Sequence, residues 1–401
     1  MAKKMLFLFV LLLSLTGMLK AQVTTAGMSG KVMADEESVI GATVVAVHEP
    51  SGTSYGTVTN VDGRFSLQGM RSGGPYKVTV SYIGYQTAIY TGIQLQLGET
   101  YSLNVILHEA SELLGEITIT ASKSKFSAEK TGATTNISSE QLTTLPSINR
   151  SISDFTRISP YASGNSFGGR DGRSNTFTVD GANLNNNFGL SSGLPGGGNP
   201  ISLDAIDEVQ VVIAPYDVRQ ANFIGAGINA ITKSGTNAYR GSAYMYFNNE
   251  VMRGNKIGDT DFGVRAEESK TVYGATFGGP IIKDKLFFFA NVEYEKSPQQ
   301  VITWRAAKEG ETPNNSTISR TTEADLAEFS QILKDKYGYN TGSFTDFPAD
   351  VTNLKLLGRI DWNINQGNKL SVRYNFTNNK TWEAPNGSSG NTGYRLAYNR
   401  V

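Results

Sequence analysis

Leu354-Lys355-Leu356-Leu357-Gly358-Arg359-Ile360-Asp361-Trp362-Asn363-Ile364 changes character at almost every step. In an extended chain Leu354, Leu356, Gly358, Ile360, Trp362 and Ile364 fall on one face, and Lys355, Leu357, Arg359, Asp361 and Asn363 on the other. Successive side chains of a strand point to opposite sides, so one face suits lipid and the other a polar lumen. The next segment repeats the pattern: Leu370, Val372, Tyr374 and Phe376 alternate with Ser371, Arg373, Asn375 and Thr377. Upstream, Leu286, Phe288, Ala290, Val292 and Tyr294 alternate with Phe287, Phe289, Asn291, Glu293 and Glu295. A soluble antiparallel sheet with one wet face would show the same alternation.

The connections separate these readings. Strands are expected over 241–248, 271–281, 286–295, 354–364 and 370–377. A long polar stretch follows the first, the tight turn Lys283-Asp284-Lys285 the second, and a long loop the third. The tight turn Gln366-Gly367-Asn368 follows the fourth, and a Gly/Ser/Asn-rich stretch from Asn386 to Gly393 the fifth. Outer-membrane barrels have short periplasmic turns and longer extracellular loops, so the first strand rises from the periplasm. A soluble sandwich has no reason to sort its loops by side. The expected fold is mainly β, ending in the first strands of a transmembrane antiparallel barrel over 238–401. So few strands leave open edges in lipid, and plugged transporter barrels have about 22. The chain therefore reads as an N-terminal fragment, not expected to insert and function alone.

The N-terminus agrees with export. Lys3 and Lys4 precede an apolar run from Met5 to Leu15, and Ala21 is a plausible cleavage point, so 1–21 reads as a signal peptide. The run is shorter than the roughly 20 apolar residues of a spanning helix. With 0 Cys, lipid anchoring, disulfides and thiolate metal sites are excluded, and 2 His leave little room for imidazole chemistry. A net charge of +0 gives no bulk attraction to nucleic acid.

From 22 to 110, β-type runs recur at 30–33, 42–48, 53–58, 64–67, 76–82 and 101–107. They are separated by turn signals such as Asn60-Val61-Asp62-Gly63, as in a β-sandwich. Asn60 and Asp62 suit a calcium site or, more simply, a tight turn, since no further acids cluster there. Gly41-Ala42-Thr43-Val44, Gly56-Thr57-Val58-Thr59-Asn60-Val61-Asp62-Gly63-Arg64-Phe65 and Val78-Thr79-Val80-Ser81-Tyr82-Ile83-Gly84-Tyr85 resemble the carboxypeptidase-regulatory-like domain, a transthyretin-like sandwich. That name suggests a peptidase, but His48 and His108 lack the His-x-x-Glu spacing of a zinc site and read as packed or surface residues.

From 111 to 237 the composition shifts. Short helices are expected at 139–145, capped by Ser138 or Ser139, and at 151–158. A Gly/Asn/Ser-rich stretch from Ser163 to Pro200 is interrupted by Thr176-Phe177-Thr178-Val179 with Asp180-Gly181 as its turn. It reads as a flexible linker or as functional loops on a scaffold. Gly193 to Gly198 lacks the order of a phosphate-binding loop.

Asp204-Ala205-Ile206-Asp207-Glu208-Val209-Gln210-Val211-Val212, Pro215-Tyr216 and Gly225-Ala226-Gly227-Ile228-Asn229-Ala230-Ile231-Thr232-Lys233-Ser234-Gly235-Thr236 resemble the end of the plug domain of TonB-dependent outer-membrane receptors. Phe167-Gly168-Gly169-Arg170-Asp171-Gly172-Arg173 and Val179-Asp180-Gly181 resemble the middle of that plug, and Pro215-Tyr216-Asp217-Val218-Arg219-Gln220 is similar to the Oar-like branch. The resemblance implies an α+β plug closing the barrel in a Gram-negative outer membrane. It also implies active import of a ligand, powered through TonB and its inner-membrane energising complex. Glu116, Ile117, Thr118, Ile119, Thr120 and Ala121 resemble the TonB-box region; the other reading is the plug's first strand.

Substrate contacts are expected from Asn183, Asn185, Asn186, Asn187 and Phe188, suited to glycans or peptides, unless that loop merely packs inside the barrel. Arg170 and Arg173 suit an anionic ligand or, equally, Glu293, Glu295 or Asp361 on the lumen wall. A helix over 324–337, stopped by Gly338, fits a lid or a docking surface for a surface lipoprotein. Outer-membrane lipids would be the remaining partner. No catalytic constellation, cofactor site or metal site is expected. The alternative is a non-transporting surface protein, an adhesin or a secretion-related barrel.

Overall fold

The computed structural model describes residues 23–34, 37–109, 117–120, 133–145, 147, 150–185, 194, 199–215, 217, 220–221, 223–261, 268–299, 305–314, 318–342, 349–383 and 399–400. The predicted signal peptide lies outside them. The chain forms two compact units, one of 1–240, 277–290 and 358–373, the other of 241–276, 291–357 and 374–401.

The first unit opens with the sandwich. Its strands are β1 (Ala26–Ala34), β2 (Glu37–Ser38), β3 (Thr43–His48), β4 (Thr53–Val58), β5 (Arg64–Met70), β6 (Gly73–Ser81), β7 (Ala88–Leu95), β8 (Thr100–Ser102) and β9 (Val105–Ile106). One sheet runs β2-β1-β5, with β8 and β9 lying parallel to β1; the other runs β7-β6-β3-β4. Alternation supplies the inner faces: Val44 and Ala46 of β3, Tyr76, Val78 and Val80 of β6, and Met28 and Val32 of β1 are fully buried. Each buried Val or Met among them contributes about 1.5–3 kcal/mol relative to exposure. Asn60 Oδ1 accepts the N–H groups of Asp62 (3.0 Å) and Arg64 (2.8 Å), so this side chain builds the turn. His48 is buried, with Nδ1 2.7 Å from Ser51 Oγ, and burial followed by Arg71 holds its pKa near 3. His108 is exposed.

Two expectations needed revision. The run 101–107 is broken into β8 and β9, and between them the Asn104 side chain accepts the Lys31 N–H at 3.1 Å. Strand β7 escaped the sequence reading. At the crossing of β1, a Cβ on Gly30 would stand 1.8 Å from the Leu103 carbonyl oxygen. Gly30→Ala is therefore expected to separate β1 from the 103–104 link and cost at least about 2 kcal/mol, read as a lowered thermal midpoint.

A further strand, β10 (Ile117–Thr120), precedes the plug. The plug sheet comprises β11 (Ala133–Ser138), β14 (Thr176–Val179), β15 (Ala182–Asn183), β16 (Ile206–Ala214) and β17 (Gly227–Thr232), in the order β11-β16-β17-β14-β15. The small hairpin β12 (Ala162–Ser163) and β13 (Ser166–Phe167) stands apart. Helix α1 (Ser139–Thr144) begins at a Ser138 capping box with Gln141, and α2 (Ile152–Thr156) at Ser151 with Asp154. Ile137, Phe155, Phe167, Phe177, Val209, Val211 and Ala230 form its buried apolar set. The Gly/Asn/Ser-rich stretch is thus no simple linker: β14, buried at every position, is laid parallel to β17.

The long strands are β18 (Arg240–Asn249), β21 (Ser269–Ile282), β22 (Leu286–Gln299), β25 (Ala349–Asn363) and β26 (Lys369–Lys380), in the order β18-β21-β22-β25-β26. At 14 or 15 residues, β21, β22 and β25 exceed the roughly 9–11 that cross a hydrocarbon core. The faces separate as the alternation demands. On β25, Lys355 is 2 % and Asp361 3 % exposed, against 46 % for Ile360 and 45 % for Trp362.

Within the second unit, hairpin β19 (Lys256–Ile257) and β20 (Thr260–Asp261) follows β18. Strands β23 (Arg305–Ala307) and β24 (Ile318–Thr322) lead into α3 (Glu323–Tyr337). Thr322 and Asp325 form its capping box, and Gly338 ends it. Leu326 is buried, while Phe329 and Ile332 remain exposed.

Candidate functional site at the plug and its coupling segment

Strand β14 delivers Asp180 to the turn before β15. Asp180 Oδ1 accepts the Thr232 N–H at 3.0 Å, and Oδ2 accepts the Thr232 hydroxyl at 2.6 Å, tying the end of β17 to the turn. From β25, the Arg359 guanidinium reaches the same place. It donates to the Thr232 carbonyl, lies 3.2 Å from Thr232 Oγ1, and forks onto Asp361 at 2.7 and 3.1 Å. Arg373 Nε of β26 stands 3.4 Å from Asp180, and Arg71 Nη2 of the sandwich 3.4 Å from Asp361. The Ser371 hydroxyl donates to Asp361. Buried charges persist when paired and hydrogen-bonded, and this joint meets that condition for both aspartates.

A second joint ties plug to sandwich. Glu208 Oε1 of β16 accepts the Leu97 N–H at 3.1 Å, and Gln210, on the same face of that strand, donates to the Leu97 carbonyl. Two side chains thus grip both polar groups of one peptide residue. Asn136 of β11 adds a hydrogen bond to Glu99 at 3.1 Å, and Asn229 of β17 donates to the Val23 carbonyl. Burial, then the neighbouring carboxylates Asp207 and Glu99, push the Glu208 carboxyl up to about 7, against the pull of the Leu97 N–H. Neither joint was singled out from sequence, although Val179-Asp180-Gly181 was quoted for its resemblance.

The predicted ligand contacts scatter. Arg170 is exposed beyond a turn in which its N–H meets the Phe167 carbonyl at 3.0 Å. Arg173 is exposed and pairs with Asp171, Nε to Oδ1 at 2.9 Å. The wall acids take other partners. Glu293 binds Lys355 at 2.9 Å and the Tyr244 hydroxyl at 2.9 Å, and Glu295 binds Lys270 at 2.8 Å. Asp361 belongs to Arg359. Arg173 takes Asp171 as its partner because a carboxylate two residues away costs little ordering.

Asn183 is exposed, and its Oδ1 accepts the Asn185 N–H at 2.8 Å. Asn185 is spent on scaffolding: Oδ1 accepts the Phe177 N–H at 2.6 Å and Nδ2 donates to the Asn175 carbonyl at 3.0 Å. Asn186, Asn187 and Phe188 lie outside the described residues, as do Glu116 and Ala121 of the expected box. Ile117–Thr120 does form a strand, but not the plug's first. It pairs in parallel with β7 of the sandwich, Ile117 opposite Ala88 through Thr120 opposite Thr91.

Residues 27–108 match the carboxypeptidase regulatory-like domain family, and residues 231–400 the outer membrane beta barrel domain family. Over 344 residues the chain is 25% identical to the TonB-dependent transporter Oar of Myxococcus xanthus, covering 81% of this chain and 30% of that protein. The chain is similar, over most of its length, to a TonB-dependent transporter of the Oar kind. It spans about a third of the length of the curated relative that it matches. Solved structures similar to it include the siderophore receptor PirA of Acinetobacter baumannii, with TM-score 0.40 and 19% identity over 62% of this chain and 31% of that one. Another is the outer membrane transporter YddB of Escherichia coli, with TM-score 0.40 and 14% identity over 63% of this chain and 34% of that one. The outer membrane beta barrel match indicates a Gram-negative outer-membrane location for this chain. The Oar protein and the two structures named here are described as transporters or receptors.

Proposed function

We propose that the protein serves active import: a plug closes the barrel, a polar ligand binds from outside, and TonB draws on Glu116–Ala121 to open the path. The observation that carries this reading is the character of the plug–wall joint. Asp180, Thr232, Arg359, Asp361 and Arg373 meet through hydrogen bonds and ion pairs rather than interlocked apolar side chains. Such a joint holds firmly when dry, yet water entering it can replace each bond, so it can part and re-form. A permanently sealed wall would gain nothing from buried charge that apolar packing does not supply.

Ligand contacts are assigned to Asn183, Asn186, Asn187, Phe188, Arg170 and Arg173, which favour a glycan or a peptide. The outward apolar faces meet outer-membrane lipid, and the exposed side of α3 offers a surface lipoprotein a place to dock. No covalent chemistry is assigned. In cells producing the complete receptor, labelled oligosaccharide and oligopeptide mixtures should accumulate. An uncoupler, or deletion of Glu116–Ala121, should lower accumulation at least about tenfold. Cell-surface retention untouched by either treatment would instead favour an adhesin.

A further inference from the structure

The coupling segment is already occupied. Strand β7 is the last strand of the sheet β4-β3-β6-β7, and its outer edge carries β10 in a parallel ladder of four residues, from Ile117 opposite Ala88 to Thr120 opposite Thr91. A segment recognised by adding to a partner's sheet must offer free backbone N–H and C=O groups. Those on the side of β10 facing β7 are spent. We propose that the sandwich is a keeper of the TonB box: its β7 edge holds Ile117–Thr120 and covers one backbone edge of that segment, and TonB takes the box through that edge by displacing β7. This rests on the assignment of Glu116–Ala121 as the box.

Three observations make the hold effective and reversible. First, the tether is short. The chain leaves the sandwich beside β7, where Gln86 N–H meets the His108 carbonyl at 2.8 Å and Tyr85 bridges Glu109. Only 110–116 separate that point from β10. The local concentration of the box at the edge is therefore high, so weak pairing suffices to populate the held state. Secondly, the ladder is short, and parallel pairing is slightly less stable per residue than antiparallel. Its net hydrogen-bond gain is largely offset by the ordering of the residues involved. Thirdly, the holder is anchored: Glu208 and Gln210 grip Leu97, two residues beyond the end of β7. Tension on the box would then work against an edge fixed to the plug.

Sequestration lowers the apparent affinity for TonB by the fraction of time the box is free. Two variants of the complete receptor move that fraction in opposite directions. Thr91 pairs with Thr120 but has no partner on β6, because the β6–β7 register shifts between Tyr76 and Val78. Thr91→Pro therefore loosens β10 while sparing the β6 ladder, and should tighten binding of the isolated TonB C-terminal domain about threefold or more.

Conversely, these 401 residues hold 0 Cys, so within them the pair Ile89→Cys/Thr118→Cys can form one disulfide. In-register neighbours satisfy the Cα spacing of a disulfide, whereas Thr91→Cys/Thr118→Cys, two residues out of register, does not. The in-register pair should oxidise readily and the other should not. The oxidised form should bind the TonB domain at least about tenfold more weakly, with recovery on reduction. Equal oxidation of both pairs, or unchanged binding by Thr91→Pro, would overturn the keeper. Deletion of Glu116–Ala121 separates the two ideas. If it leaves TonB binding intact, the box assignment itself fails; if it abolishes binding while Thr91→Pro changes nothing, only the keeper fails.

Discussion

Arg359→Ala is expected to weaken the plug–wall joint by about 3–5 kcal/mol, the usual cost of removing one partner from a buried ion pair. Arg359 is 8 % exposed, forks onto Asp361, and reaches both the carbonyl and the hydroxyl of Thr232. Without it, Asp361 keeps Arg71 at 3.4 Å and the Ser371 hydroxyl, while Asp180 keeps Arg373 at 3.4 Å and its bonds to Thr232. Two aspartates would then share a thinner set of cations in a dry site. Arg359→Lys should rescue only part of the loss, since one ammonium cannot reproduce a forked contact and reach Thr232 together. Adding Asp361→Ala should cost less than the sum of the single changes, because each removes the other's burden. Thermal unfolding of the complete receptor in detergent reads the loss. Exclusion of a bulky antibiotic by cells producing the complete protein reads its consequence. An unchanged midpoint with unchanged exclusion would mean that this joint does not hold the plug.

Much of the barrel was legible because its signal is local. A period of two along 354–364 needs no knowledge of distant contacts, and the exposure of Ile360 and Trp362 against the burial of Lys355, Arg359 and Asp361 follows it residue by residue. Helix α3 was equally local, marked by apolar spacing and Gly338. Strand β7 was not, because its alternation is interrupted. The register slips between Tyr76 and Val78, and Gly92, at φ 76°, adds the irregular residue. The Ile-Thr-Ile-Thr run was recognised as pairing-prone, but its partner was beyond reach. A parallel pair has no hairpin turn to announce it, and the other strand lies some thirty residues upstream.

The site was less legible for a related reason. Asn185 looked like a ligand-binding amide because composition cannot say which amides a scaffold consumes; here two backbone groups of the β14 segment take it. Arg173 was read toward an anionic ligand or the lumen-wall acids, whereas Asp171, two residues before it, is its partner. Asp180, by contrast, was visible only as a turn residue. Its other role depends on Thr232 and on two arginines of the wall, more than a hundred positions away in the chain.

The second large effect is expected from Glu208. Burial holds its carboxyl at about 7 in the folded protein, against 4.5 for an ordinary glutamate. The folded state therefore binds this proton more tightly than the unfolded state. The contribution is present in full below pH 4.5 and is lost as pH rises through 7, by about 3 kcal/mol in all. Glu208→Gln keeps an oxygen for the Leu97 N–H and removes the charge. It should flatten the fall in stability between pH 4.5 and 7.5, and at pH 8 it should be the more stable protein. Glu208→Ala removes the acceptor as well and leaves the Leu97 N–H buried without it, so it should be weaker than Gln at every pH, by about 1–3 kcal/mol. Thermal midpoints of the complete receptor at pH 5 and pH 8 distinguish these cases. Parallel wild-type and Gln profiles would show that the grip on Leu97 does not titrate. A Gln variant falling to the level of Ala at pH 5 would show that the carboxyl proton itself donates a bond that an amide cannot replace.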